Sequence, residues 1–343
     1  MNIIYADADH NVKWTEFVKT HGDCANHHQW EWKDIIESNF HWQSLYLMAE
    51  DKQKIVGILP LFVQNSWLLG KWVSSMPLLQ GGGIIADNQE AAELLLREAF
   101  SVTDRSGAKY LELRGTSGNA PRLTPRTDKV RAVLHISTDT PGMLRNLDPK
   151  VRTSIRKAEK SGFTIEFGGM ELLDNFYSVF CENMRDLGTP VYERRFFQSI
   201  LTRFPHESFI AIVRLQETPI ACCFLLGFRH TIESVWAASV RKYLPLKPNV
   251  FLHWNAFSFA AQRGYTVFDF GRSTKGSGVH QYKMQWGSEE IPLDWTYWSP
   301  KNKQVTGLDR HNPKLQFAVN AWRRLPLPIA NRIGPVLVRH LPS

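Results

Sequence analysis

Between residues 268 and 289 the chain reads FDFGRSTKGSGVHQYKMQWGSE. An apolar run (Thr266, Val267, Phe268) meets Asp269, then Gly271, Arg272, Ser273, Thr274, Lys275, Gly276, Ser277 and Gly278. His280, Tyr282, Lys283, Gln285 and Trp286 follow at once. A carboxylate, cations, hydroxyls and an imidazole gathered at one strand end can bind a polar substrate or move its protons. A second concentration lies in KVRTSIRKAEKSG, residues 150–162. There Arg152, Arg156 and Lys160 fall at i, i+4 and i+8, one helix face, with Val151, Ile155 and Ala158 opposite. Such a face is either solvated or a cradle for phosphates, for which the arginine fork is well shaped.

The glycine-rich stretch follows a strand, as phosphate loops do, but fits no phosphate-loop formula. It contains neither G-x-x-x-x-G-K-[ST] nor G-x-G-x-x-G. Its spacing from Arg to the first Gly is one too long for the [RQ]-x-x-G-x-[GA] loop of acetyltransferases. The chain beyond it reads as a strand, leaving no helix N-terminus for an anion. Glycine is therefore expected to admit close approach of a substrate to the backbone. A third group, His21, Cys24, His27 and His28, has zinc-ligand chemistry, but no second knuckle follows and Trp30 and Trp32 point to packing. No metal site is expected, and Cys24, Cys181, Cys222 and Cys223 read as reduced structural thiols.

The elements that must position these groups come in two similar halves. The first gives a strand at 2–6, a helix near 11–20, and a hairpin of 45–50 with 55–63. A helix at 89–105 and strands at 110–113 and 130–136 complete it. In the second, a helix at 150–161 leads to a strand at 163–167 and helices near 171–187 and 193–203. Strands at 209–215, 219–227 and 231–238, a helix at 248–263 and strands at 265–270 and 293–298 follow. SGAKYLELRGTS (106–117) and RGYTVFDFGRST (263–274) share a helix-ending Gly, an apolar strand, an acid, an Arg and a hydroxyl-rich turn. Upstream, KIVGILPLF (54–62) and PIACCFLLG (219–227) correspond in the same order. The chain reads as an internal duplication of an α+β unit with a largely antiparallel sheet. Its 343 residues exceed what one core usually supports. The expected division is 1–138, 139–300 with the site, and a basic apolar tail at 301–343.

Composition narrows the partners. A charged content of 22% and hydrophobic content of 43% are those of a globular protein. Neither a signal peptide nor an apolar membrane span is expected, so the protein reads as cytoplasmic. The net charge of +8 suits an anionic substrate or surface, and residues 310–343 hold six Lys/Arg and no acid. That tail either packs on the first domain or contacts the inner membrane peripherally, with Trp322 beside Arg323 and Arg324 at an anionic leaflet. Prolines at 326, 328, 335 and 342 exclude one long helix.

KVRTSIRKAEKSGFTIEFGG, FYSVFCENMRDLGTP and FDFGRSTKGSGVHQYKMQWG together resemble hallmark segments of FemAB-like proteins. Within these the chain is similar to the subgroup found with PEP-CTERM/exosortase exopolysaccharide systems, as LPLF, GKWVSSMPLLQGGGI and AWRRLPLPIANRIGP also suggest. The resemblance covers essentially the whole chain and implies a tandem pair of acetyltransferase-like (GNAT) domains. It implies transfer of an acyl group, in well-understood members an amino acid from aminoacyl-tRNA, to the amine of a cell-envelope precursor. Family members carry a lysine in [FY]-K-x-x-[FWY]-G at the catalytic centre, and here that motif is Tyr282–Gly287, with Lys283 as the lysine. A fixed ammonium stabilises the oxyanion of aminolysis, and Asp269 could take the amine's proton. Arg272, Ser273, His280, Tyr282, Gln285 and Trp286 would orient substrate, Arg152 and Arg156 hold phosphates, and Arg185 and Asp186 shape the acceptor pocket. No tightly bound cofactor is implied. The acyl donor is aminoacyl-tRNA or acyl-CoA, and the acceptor a nucleotide-linked or lipid-linked glycan or peptide. Two other readings stand beside this one: an acyl-CoA-dependent acetyltransferase on an amino sugar, and a non-catalytic exopolysaccharide assembly factor.

Overall fold

The computed structural model describes residues 1–115, 123–300 and 313–342. Thr116 and Ser117 of the first repeat, residues 118–122 of the polar loop after them, and residues 301–312 and 343 of the tail lie outside the described residues. The chain forms two compact units. One comprises Met1–Lys129, Pro292–Asp309 and Arg339–Ser343, the other Val130–Ile291 and Arg310–Val338.

The first unit contains β1 (Asn2–Ala6), β2 (Gln43–Asp51), β3 (Lys54–Ser66), β4 (Gly70–Ser75), β5 (Ile85–Ala86), β6 (Leu111–Arg114) and β7 (Thr124–Arg126). The β2–β3 hairpin closes through Lys52 and Gln53, both at positive φ, as a tight two-residue turn with right-handed strand twist requires. Helix Gln89–Arg105 starts where the Asn88 side chain accepts the Ala91 N–H. Its Ala91, Leu95, Ala99 and Val102 bury with Leu47, Ala49, Leu59 and Leu61 against one sheet face. Tyr46, one residue out of phase, meets Trp14, Trp30 and Phe62 on the other face.

The second unit contains β8 (Lys129–His135), β9 (Phe163–Gly168), β10 (Ser208–Leu215), β11 (Thr218–Phe228), β12 (Thr231–Ser239), β13 (Val267–Thr274) and β14 (Glu289–Pro292). Alternation along β11 again separates two layers. Ala221, Cys223 and Leu225 join the core with helices Pro149–Glu159 and Pro248–Gln262. Phe224 instead meets Phe176, Phe197 and Trp236 in an aromatic cluster beneath helices Leu173–Leu187 and Arg194–Arg203. The cysteines are packing groups, all four buried and none in a disulfide.

The last strand, β15 (Trp295–Trp298), pairs with β6 and β7. Among the described residues the sheets therefore run β1-β2-β3-β4-β6-β15-β7, with β5 beside β3, and β14-β8-β13-β12-β11-β10-β9. Both are mixed and mostly antiparallel. Each carries a parallel pair joined by its long helix, β4 with β6 and β12 with β13. The duplication is thus visible as one strand order used twice.

Three sequence expectations are displaced. The strand expected at 130–136 in the first domain belongs to the second sheet, and the one expected at 293–298 in the second domain belongs to the first. An apolar strand specifies a face to bury, but not which sheet edge takes its hydrogen bonds. Over 313–338 the tail belongs to the second unit. It forms helices Pro313–Arg323 and Leu327–Val338, which pack on helix Leu173–Leu187 of the second. Gly188, at φ +79°, leaves room there for Val319, whose Cγ1 would lie 2.5 Å from any added Cβ.

Candidate functional site

The parallel strands β12 and β13 pair at Thr231 with Val267, Ile232 with Phe268, and Glu233 with Asp269. Pairing goes no further, although β12 runs to Ser239 and β13 to Thr274. Where two parallel strands part, the next backbone N–H and C=O groups face the gap instead of each other. At the last pair stand two carboxylates, Glu233 at 8% exposure and Asp269 at 2%. They converge on Gly271. Its N–H donates to Asp269 Oδ1 at 2.8 Å, and a Cβ there would lie 3.8 Å from Glu233 Oε1 and 3.1 Å from Ser234 O. Gly271 adopts φ +72°, so glycine is required by both conformation and space.

Two cations complete the cluster. Arg131, from β8, donates from Nη1 to Asp269 Oδ2 at 3.0 Å. Lys283 Nζ donates to the carbonyl oxygens of Gly271 at 2.8 Å and Arg272 at 2.9 Å. Burial pushes the Asp269 carboxyl up, as does the neighbouring Glu233, against the pull of Arg131 and the Gly271 N–H. Burial lowers the Lys283 ammonium to about 8, with Asp269 and Glu233 opposing and Arg272 assisting. A lysine titrating there exchanges its proton near neutral pH, which an exposed lysine does not.

Lys283 is positioned by a helix, Gly278–Met284, where the sequence reads as a strand. The Ser277 hydroxyl caps it by accepting the His280 N–H at 3.2 Å. A seven-residue helix after a glycine-rich turn has too little periodicity to read. Its Tyr282 hydroxyl donates to Asn249 O at 3.0 Å and lies 3.0 Å from His253 Nδ1. Burial lowers His253 to about 4, so it is neutral at pH 7. Trp286 is fully buried, its ring 5.1 Å from Phe257. Tyr282 and Trp286 thus anchor the helix in the core, while Gln285 is exposed.

The remaining expected residues divide. Ser273 is buried with its Oγ unpartnered, and Arg272 is half-buried beside it. His280 Nε2 lies 2.7 Å from Glu290, which also holds Lys275, so these groups tie the glycine turn to β14. Arg152 and Arg156 lie on the outward side of helix Pro149–Glu159, whose Val151, Ile155 and Ala158 are buried. Arg152 donates to Arg145 O. Arg185 pairs with Asp186 at 2.7 Å and donates to Leu325 O, binding the turn between the tail helices. None of these four has a described contact with Lys283 or Asp269. Sequence reasoning missed Arg131, 138 residues before its partner, and Glu233. An acid inside the apolar run TIESVWAA was the available signal for Glu233.

Among the described residues no three His, Cys, Asp or Glu side chains are placed to hold a metal. His28 serves the backbone instead. Its Nδ1 accepts the Ala25 N–H, its Nε2 lies 3.2 Å from Gly83 O, and burial lowers it to about 3.

Residues 145–284 match the acetyltransferase (GNAT) domain family. This span holds Glu233, Asp269 and Lys283 but not Arg131. No curated protein matches the chain in sequence. Among solved structures the chain is similar to FemX, with 14% identity and a TM-score of 0.65 over 87% of this chain and 97% of that one. L-PGS from Bacillus licheniformis matches at 13% identity and a TM-score of 0.55, covering 86% and 97%. A tandem GNAT protein from the clavulanic acid biosynthesis pathway matches at 7% and 0.55, covering 88% and 99%. At these identities the likeness is one of fold, and it spans both units. The chain has a tandem GNAT fold, and with its acetyltransferase domain match it is an acyltransferase of GNAT type.

Proposed function

We propose that this acyltransferase joins an acyl group to the amine of a cell-envelope or exopolysaccharide intermediate, with an aminoacyl donor of the FemAB type. The observation that carries the reading is the cluster of buried Glu233, Asp269 and Lys283 with part-exposed Arg131 where β12 and β13 stop pairing. The sequence resemblance to FemAB-like proteins of exopolysaccharide systems supports the choice of acceptor, and the fold-level likeness to FemX is consistent with it.

In the proposed reaction the amine nitrogen attacks the donor's ester carbon, forming a C–N bond and a tetrahedral oxyanion. The Lys283 ammonium, already directed to two carbonyl oxygens, is the cation assigned to that oxyanion. Collapse breaks the C–O bond. The proton lost by nitrogen passes through Asp269, whose raised affinity for a proton suits the transfer, to the leaving oxygen. Ser273 Oγ, buried without a partner, is available to orient the substrate. Arg152 and Arg156 offer an outward cationic face to phosphates of a nucleotide-linked or lipid-linked acceptor.

A second reading, acetyl transfer from acyl-CoA to an amino sugar, is favoured by the acetyltransferase match over 145–284. The chemistry is the same with a C–S bond breaking. Both are tested by offering purified protein aminoacyl-tRNA or acetyl-CoA, each with amino-sugar and peptidoglycan-peptide acceptors, and weighing products by mass spectrometry. Acyl-acceptor formed by wild type and lost in Lys283→Met supports the site, and the productive donor decides between the readings. Bound donor with no transfer to any amine would overturn both.

A further inference from the structure

The tail helices hide some of their apolar groups and display others. Trp322, Ala330, Gly334 and Pro335 are buried against the second unit. Ile329, Ile333 and Val336 are instead exposed, at 48%, 39% and 58%. They recur at i, i+4 and i+7, so helix Leu327–Val338 turns a continuous aliphatic stripe outward. On the preceding helix Phe317 is 76% exposed, and Leu187, whose carbonyl accepts from Arg323, is 56% exposed. An outward helix face ordinarily carries charge of both signs. Between residues 316 and 338 the charged residues are Arg323, Arg324 and Arg332, and residues 310–343 contain no acid.

We propose that this face is a docking surface for an anionic phospholipid bilayer, held by aliphatic insertion and by arginine contact with lipid phosphates. Charge decides among occupants. A second copy related by a twofold axis would set the same arginines against one another. Aqueous solvent leaves the aliphatic stripe unsatisfied. An anionic leaflet satisfies both, since short apolar faces flanked by cations lie at the headgroup boundary. Among the described residues no helix is long and apolar enough to cross a membrane, so the attachment proposed is to one leaflet. It is independent of the chemistry proposed for Lys283.

The test is sedimentation of the full chain with vesicles of phosphatidylcholine alone or mixed equally with phosphatidylglycerol, at low and high salt. Wild type should bind the anionic vesicles and release at high salt. Arg324→Gln with Arg332→Gln should weaken binding about 25-fold, near fivefold per cation. Ile333→Asp with Val336→Asp should remove it while the melting temperature is kept, both positions being exposed. Equal binding to the two vesicle types, no binding, or variants that bind like wild type would overturn the proposal. So would a concentration-dependent dimer in sedimentation velocity that the Asp variants abolish without any vesicle binding.

Discussion

Glu112 and Asp269 stand at the same place in two copies of one sheet, the last residue of a short parallel pairing. Glu112 lies opposite Ser74 on β4, and Asp269 lies opposite Glu233 on β12. In the first unit the arginine two residues on faces the same side and closes the account locally. Arg114, 1% exposed, meets Glu112 Oε1 at 2.7 Å, bonds Leu79 O and lies 4.4 Å from the Trp295 ring. The Tyr297 hydroxyl donates to Glu112 Oε2 at 2.6 Å. In the second unit Gly271 is interposed, and the arginine falls three residues on instead of two. Asp269 is neutralised from another strand by Arg131, beside a second carboxylate, and a lysine is held by the carbonyls that follow. One copy saturates its buried charge with its own neighbours. The other keeps an excess of buried ionisable groups with displaced affinities, which structural burial alone does not require.

The comparison breaks first at Arg114. Arg114→Met leaves Glu112 buried without its cation and should cost about 3–5 kcal/mol in chemical denaturation. Pairing it with Glu112→Leu should recover most of that loss. A loss below about 1 kcal/mol would mean the first unit's pair is not a closed structural one. Lys283→Met should reduce acyl transfer by about 10²–10³-fold. It should also cost about 1–3 kcal/mol in stability, because two buried carbonyl oxygens lose their donor. A melt that falls while transfer per folded molecule persists would make the second copy structural as well.

The pH dependence sharpens the contrast. Lys283 has a folded value of about 8, below the 10.5 of an exposed lysine. Between those values the unfolded chain holds more protons than the folded one, so stability should rise with pH across that window. Transfer should do the opposite and fall through about pH 8 as the ammonium is lost. Lys283→Arg, which stays charged, should lack that alkaline limb, and an unchanged limb would assign it elsewhere. The smallest effects concern Asp269. Arg131→Gln removes the attraction that lowers it and should move the acid limb of transfer to higher pH. Glu233→Gln removes the repulsion that raises it and should move the limb down. Arg131 is 37% exposed, so its shift should stay below about one unit. Shifts of the same sign in both variants would contradict the arrangement.

Much of this was legible in the sequence because it is periodic or local. Val151, Ile155 and Ala158 gave the buried side of their helix, and Gly107 marked the stop of another. YLELR and VFDFGR, 157 residues apart at their acids, revealed the repeat. Lys283 and Asp269 were reached by motif and by strand-end position, and the structure places both in one cluster. Arg152, Arg156, Arg185 and Asp186 were equally conspicuous, and the structure sets them apart from that cluster. Conspicuous charge says that a residue is polar, not which surface it faces.

The sequence by itself determined the α+β units, their duplication, six of their helices and the acid at each strand end. These follow from side-chain alternation and capping within short stretches of chain. Only the tertiary structure decided that β8 and β15 join the sheets they do, and so that Arg131 reaches Asp269. It alone decided that Glu233 lies beside that carboxylate and that the tail buries Trp322 while displaying Ile329, Ile333 and Val336. Those pairings depend on which sheet edge and which helix face are left open after the rest has packed. No local pattern encodes an edge left open by residues more than a hundred positions away. The glycine stretch after Phe268 illustrates both halves: its composition marked a concentration of polar groups, and the parting of β12 and β13 showed where its charges meet.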